Sequence, residues 1–175
     1  MAPNGFGFLH LLQTKGDAHK VLDDKTMMEQ RAGVKMERAN TDRGGEYRGA
    51  IFRHKVRALG VVHTFTAPNS SSGRAENRIR YVQEKGTAMM AMRPAAPRSL
   101  LGRAFTYAND VINMQPASTT PNNESYYEMA TGRQPPALLF TWGCRAYAHI
   151  PKQQQKKWGN RSRVCVFVGF AKNGD

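Results

Sequence analysis

Acidic residues are scarce in this chain. Thirteen Asp and Glu face 26 Lys and Arg, leaving a formal charge of +13 over 175 residues. A surplus of that size predicts a polyanionic partner, nucleic acid before an anionic membrane. Cysteine is scarcer still: Cys144 and Cys165 lie far apart without Cys-x-x-Cys spacing, a pattern that suggests neither a disulfide framework nor a cysteine zinc site. The histidines, His10, His19, His54, His63 and His149, form no pair with metal-ligand spacing. A reduced intracellular compartment, nuclear or cytoplasmic, is the expectation. No apolar run approaches the roughly 18 to 20 residues of a membrane span. Residues 1–5 lack the basic start of a secretory signal, so no membrane association is expected. Apolar residues make up 40 %, just below the globular norm and sufficient for a core at this length.

What is present is unevenly spread. Over residues 1–42 six basic residues cancel six acidic ones, whereas over 43–103 twelve face three. From 104 onward the surplus is four, carried by Arg133, Arg145, Lys152, Lys156, Lys157, Arg161, Arg163 and Lys172. Neutralising phosphates with such residues supplies most non-specific affinity for nucleic acid. Lys152, Lys156 and Lys157 mark a basic loop open to that contact.

Hydrophobic patterning predicts alternating strands and helices. Residues 6–12 read as a short buried strand. Val21, Leu22, Met28 and Ala32 predict a helix over 18–32, with Asp17 placed to cap it and Gly33 to stop it. Asp17, Asp23 and Asp24 read as surface acids. Val34, Met36 and Arg38 alternate with polar neighbours, so a strand feeds Asp42 and leaves it at a carboxyl edge, where ligand groups gather in open sheets. Phe52, Val56 and Leu59 predict a helix over 51–59, Gly60 its cap, and 61–65 the next strand. Pro68, Gly73 and three serines break the chain. In the helix that follows, Ile79, Val82, Met89 and Met90 fall on one side and Glu76, Arg80, Gln83 and Thr87 on another. Leu101, Phe105, Ala108 and Ile112 mark a further helix, and 126–131 a helical turn stopped by Gly132. Beyond Pro136 the character turns to β, with strands at 144–150 and 164–168 joined by a basic loop, and Trp142, Tyr147 and Phe167 as their expected core. The chain thus divides into residues 1–133 and a small β-rich unit, 134–175.

The stretch Thr41-Asp42-Arg43-Gly44-Gly45-Glu46-Tyr47 carries the chemistry. A strand ending in Asp, a glycine pair where backbone turns sharply, and Glu76 opening a helix 34 positions later place two carboxylates where they can share a divalent metal. Such ions are what phosphodiester chemistry uses. Taken singly, Asp42 and Glu76 also read as an ordinary turn acid and an ordinary helix-start acid.

In order along the chain stand Thr41-Asp42-x-Gly44-Gly45-Glu46-Tyr47, Phe65-Thr66-Ala67-Pro68, Gly73-x-Ala75-Glu76, Asn113-x-x-Pro116, Thr131-Gly132-Arg133-x-Pro135, Trp142-Gly143-Cys144-Arg145-Ala146-Tyr147, His149-Ile150-Pro151, and Arg161-Ser162-Arg163 leading into Phe167-Val168-Gly169-Phe170. By these motifs the chain resembles the integrase region of copia-type (Pseudoviridae-like) retrotransposon polyproteins. The resemblance implies an α/β, RNase H-like core with a mixed sheet flanked by helices, then a small β unit. It further implies an Asp-Asp-Glu triad holding two Mg²⁺ or Mn²⁺ ions and joining element ends to target DNA. Asp42 then corresponds to the second acid and Glu76 to the third. Arg80 and Gln83 then correspond to positions where the family contacts DNA, and Arg43, Arg74 and Arg78 are further candidate nucleic-acid-binding residues. DNA is the implied partner, with RNA as the alternative polyanion, an oligomer compatible with the family, and no small-molecule substrate.

Four features depart from the family. Its first aspartate lies on a strand farther upstream than the 41 residues before Asp42, so the core is expected to be incomplete at its N-terminus. The loop between Pro68 and Gly73 is two residues short, and Arg43 stands where the family has Asn. The zinc-binding domain that precedes such cores is expected to be absent as well. The expectation is therefore DNA integration by descent, retained nucleic-acid binding, and no catalysis by this chain alone. The alternatives are a non-enzymatic basic DNA- or RNA-binding module and a functionless relic of a decayed element.

Overall fold

A computed structural model describes residues 5–24, 29, 35–67, 73–136 and 139–170. Most of the predicted helix beyond residue 24, the strand start at Val34 and the serine loop at 68–72 lie outside the described residues. The chain gathers into two compact units, one of residues 1–81 with 112–135 and the other of 82–111 with 136–175.

In the first unit Arg38–Thr41 (β1) pairs in parallel with Val62–Phe65 (β2), Arg38 opposite Val62 and Thr41 opposite Phe65. Parallel neighbours require a crossover, and here it consists of the short helix Gly45–Arg48 (α1) and the helix Ala50–Ala58 (α2). Phe52 and Val56, four apart and so on one side of α2, are buried with Leu22 and Val61. Met36, Ala39 and Tyr47 pack around them. Gly60 ends the helical stretch at φ +66°, a conformation that a residue without Cβ adopts freely. Leu59 lies at that end and is exposed, outside the stripe its spacing suggested.

The N-terminal segment departs from expectation. Residues 6–12 form no strand, and Leu11 and Leu12 are exposed. Phe6 and Phe8 instead pack with Ala130, Tyr126 and Tyr127. The Gly7 N–H donates to Asn113 Oδ1 at 3.0 Å, and the Gly7 carbonyl accepts from Asn113 Nδ2 at 2.8 Å. A buried side-chain amide thus stands where a partner strand would, and satisfies the backbone without a sheet. Next, Lys15–Asp24 forms a 3-10 helix that opens earlier than the periodicity predicts. Asp17 sits inside its first turn and accepts from the Thr14 N–H at 3.1 Å and the Thr14 hydroxyl at 2.8 Å, reaching back to close the helix start from within. Lys20, 2.6 Å away, and then Thr14 lower the Asp17 pKa to about 2.

The helices Gly73–Ala91 (α3) and Leu101–Met114 (α4) contribute residues to both units. On α3 the inward positions are Arg78, half-buried, and Val82, buried, while Ile79 is exposed although its spacing placed it in the apolar stripe. On α4 the buried stripe is Ala104, Tyr107 and Ala108, turned away from the expected Leu101, which is exposed. Gly86 sets how closely α4 meets α3: a Cβ there would stand 2.2 Å from the Phe105 ring. The missing side chain lets the two helices approach with Phe105 against the α3 backbone. Back in the first unit, Tyr126–Thr131 (α5) opens on buried Ser125, whose hydroxyl accepts the Glu128 N–H at 3.0 Å while the Ser125 N–H donates to Glu128 at 2.7 Å. This reciprocal box holds the Glu128 carboxyl below its ordinary pKa, the Ser125 N–H contributing most and its hydroxyl next. Gly132 in the left-handed region ends α5, as expected.

Among the described residues of the second unit, buried Ala104, Tyr107 and Trp142 meet Met89, Met90, Phe167 and Val168 in one apolar core. Tyr107 meets Phe167 edge-on at 5.3 Å, a favoured aromatic geometry. Arg145–His149 (β3) and Ser162–Val166 (β4) form an antiparallel hairpin, Arg145 opposite Val166 and His149 opposite Ser162. Tyr147 is not core: it stands across from Val164 and both are exposed. Successive side chains point to opposite faces of a strand, and the face that carries Tyr147 is the uncovered one. Among the described residues no helix is long and apolar enough to cross a membrane.

Candidate carboxylate site and nucleic-acid surface

Asp42 follows the last residue of β1 and is exposed. Its Oδ1 accepts the Gly44 N–H at 3.0 Å, the local turn that Asp favours. A Cβ on Gly44 would lie 2.9 Å from the carboxyl carbon and Oε2 of Glu46 and 3.0 Å from Asp42 Oδ1. Glycine is therefore what lets two carboxylates close on the same point, and Glu46 joins Asp42 there. Tyr47 registers both: burial raises its hydroxyl pKa, and the negative charges of Asp42 and Glu46 raise it further.

The strand end beneath Asp42 is pinned. The carbonyl of Thr41 accepts the Thr66 N–H at 2.8 Å and the Thr66 hydroxyl at 3.2 Å. Thr41 Oγ1 lies 2.9 Å from His63 Nε2 and donates to the Asp42 carbonyl at 3.0 Å. The His63 ring sits 5.3 Å from Phe52 and 4.5 Å from Phe65, so this histidine is a packing and positioning residue of the strand end.

Glu76 occupies the first turn of α3 and is exposed, where the helix dipole favours an acid. Arg74 belongs to the same turn. Arg80 and Gln83 are exposed farther along the helix, with the Arg80 guanidinium 5.1 Å from the Tyr81 ring centre. Arg78 faces inward: its guanidinium donates to Asn113 Oδ1 and lies 6.0 Å from the Tyr126 ring centre. That engagement makes it a strut of the fold. Arg43 is exposed in the turn after Asp42. Lys152, Lys156 and Lys157 are all exposed on the loop between β3 and β4.

Carboxylate oxygens suit Mg²⁺ or Mn²⁺, and Mg²⁺ demands near-octahedral oxygen ligation. Among the described residues no group of three or more His, Cys, Asp or Glu is placed to hold an ion together.

A parallel strand pair with an acid at its carboxyl edge, a helical crossover and a long helix opening on a second acid define the class: an RNase H-like fold of the integrase catalytic-core type. The catalytic core domain of BIV integrase superposes with a TM-score of 0.55 at 17 % identity, covering 73 % of this chain and 79 % of that one. By sequence the chain is 30 % identical over 166 residues to the retrovirus-related Pol polyprotein from transposon TNT 1-94 of Nicotiana tabacum, covering 93 % of the chain and 12 % of the polyprotein. It is 24 % identical over 151 residues to that from transposon RE2 of Arabidopsis thaliana, covering 84 % of the chain and 10 % of the polyprotein. Residues 144–174 match the retroviral polymerase SH3-like domain, which takes in the whole β3–β4 hairpin. The chain is a homologue of copia-type retrotransposon Pol polyproteins in their integrase-like region, and it spans about a tenth of the length of those relatives.

Proposed function

We propose that this chain is the DNA-holding part of an integrase-like region, whose role by descent is DNA integration, and that alone it binds nucleic acid without cutting or joining it. One observation carries the reading. Asp42 is presented, exposed and held by Gly44, at the carboxyl end of a parallel strand, yet its described acidic neighbours do not complete a metal-holding group of three. In-line phosphoryl transfer with two ions needs such a set. Exposed cations, by contrast, stand both near Asp42, as Arg43, and on the hairpin loop, as Lys152, Lys156 and Lys157. Nucleic acid is then the partner, inside the cell, with Asp42 and Glu76 as the second and third acids of an incomplete triad.

The test uses the purified chain with model DNA ends and Mg²⁺ or Mn²⁺. No trimmed or joined product above background is expected, while duplex DNA is retained at low salt. Joined product that disappears with Asp42→Asn or Glu76→Gln would show that the chain is catalytically complete. Absence of DNA retention at low salt would remove the binding half of the reading.

A further inference from the structure

Trp158 is 94 % exposed, the most open of the large apolar side chains described. A single apolar side chain on a surface needs no special explanation, but this one stands in a field of one sign. Lys152, Lys156 and Lys157 precede it, Arg161 and Arg163 follow, and no Asp or Glu occurs between Glu128 and Asp175.

The backbone holds the indole outward. The Gly159 N–H donates to the Lys156 carbonyl at 3.0 Å, closing a turn with Lys157 and Trp158 at its centre. The base of the loop is tied as well. The Ile150 N–H donates to the Arg161 carbonyl at 2.9 Å, and Gln155 Nε2 donates to the Ile150 carbonyl at 2.6 Å. A loop already tied in place loses less freedom when it binds.

A cation-flanked aromatic ring with both faces in water fits a strand whose bases are unpaired, since every base has a face to stack and every linkage a phosphate to neutralise. In a duplex the base faces are already stacked on each other, and the indole would meet only backbone. A membrane is the poorer match, because interfacial anchoring needs a broader apolar surface and the loop neighbours Gln153, Gln154, Gly159 and Asn160 offer none. We propose that the β3–β4 loop is a binding site for single-stranded DNA, in which Trp158 stacks on an unpaired base while Lys156, Lys157, Arg161 and Arg163 neutralise the flanking phosphates. This deepens the nucleic-acid reading above and rests on it, adding the strand state and the recognising residue.

The experiment titrates the full chain with oligothymidylate and with a hairpin duplex of equal charge, following tryptophan fluorescence and anisotropy of a labelled strand. Oligothymidylate is expected to quench the wild-type emission. Trp158→Ala should weaken single-strand binding by about fivefold to a hundredfold, the range of one base–aromatic stack. The same variant should change duplex affinity by less than about twofold, and Trp158→Phe should keep most of the single-strand affinity. Unchanged single-strand affinity in Trp158→Ala, or equal loss on both DNAs, overturns the stacking role while leaving DNA binding itself in place. Tighter binding of oligouridylate than oligothymidylate, or of anionic phosphatidylserine vesicles than either, overturns the choice of ligand. If the wild-type chain retains neither single-stranded nor duplex DNA, the broader nucleic-acid reading fails with it.

Discussion

The first compact unit holds fifteen basic residues against ten acidic, whereas the second holds eleven against three, and the two build their interiors differently. In the first, acids and amides are used structurally. Asp17 closes a helix start, Asp23 pairs with Lys55 at 2.6 Å, Glu128 boxes with Ser125, and Asn113 holds Gly7. Among its described residues the buried apolar contacts fall into two small clusters. The second gathers Tyr107, Trp142 and Phe167 into one aromatic core, and its hairpin cations face water. Acidic side chains and surplus cations are thus unequally shared between the two units.

The comparison can be broken at each unit in turn. The largest effect is expected from Trp142→Ala, which empties the centre of the aromatic core and should lower the free energy of urea unfolding by about 3 to 5 kcal/mol. A loss below about 1 kcal/mol would mean that the second unit does not depend on that core. Asn113→Ala should cost the first unit about 2 to 3 kcal/mol, because it strands the buried Gly7 N–H and carbonyl and removes an acceptor of Arg78. Substitution with no measurable loss would show that water replaces the amide. Ser125→Ala should cost about 1 kcal/mol through the lost helix cap, visible as faster amide exchange over 126–131.

The smallest effect is a pH dependence confined to the first unit's helix starts. Asp17 and Glu128 both have folded-state pKa values below their ordinary ones. Their contributions are therefore present above the ordinary carboxylate range and lost as pH falls through the folded values. For Asp17 that window runs from 3.8 down to about 2. Carboxyl-carbon NMR titration should show both depressed midpoints, and Ser125→Ala should return Glu128 toward its ordinary value. A Glu128 midpoint that ignores Ser125→Ala would contradict the capping box.

The strand–helix–strand that delivers Asp42 was legible because its signals are local: the alternation up to Asn40, the Phe52 and Val56 spacing, and a glycine stop at Gly60. The segment at 6–12 was not, since an apolar run does not reveal that its hydrogen-bond partner is the remote amide of Asn113. That same amide turns Arg78 inward and leaves Ile79 in water. Tyr147 misled for a related reason: alternation along a two-stranded hairpin defines two faces without saying which is covered. Within the candidate site, the position of Asp42 at a strand end could be read from residues alone. The approach of Glu46 across Gly44 could not, because it depends on the backbone angles of the turn. The Ser125 and Glu128 box is spelled by its spacing, a signal that hydrophobic periodicity passes over. Trp158 left no pattern, since solvent exposure of one aromatic is a property of the fold.

The proposed attraction for nucleic acid rests on the hairpin cations of the second unit, apart from the carboxylates of the first. Duplex DNA affinity measured against salt tests it most directly. Each phosphate neutralised contributes about 0.9 to the logarithmic salt slope, so the combined Lys152→Gln, Lys156→Gln and Lys157→Gln variant should flatten that slope by about 2.7. Asp42→Asn should leave it unchanged. A slope that survives the triple substitution intact, with wild-type affinity at low salt, would contradict the claim and return the DNA contact to the acid-bearing unit.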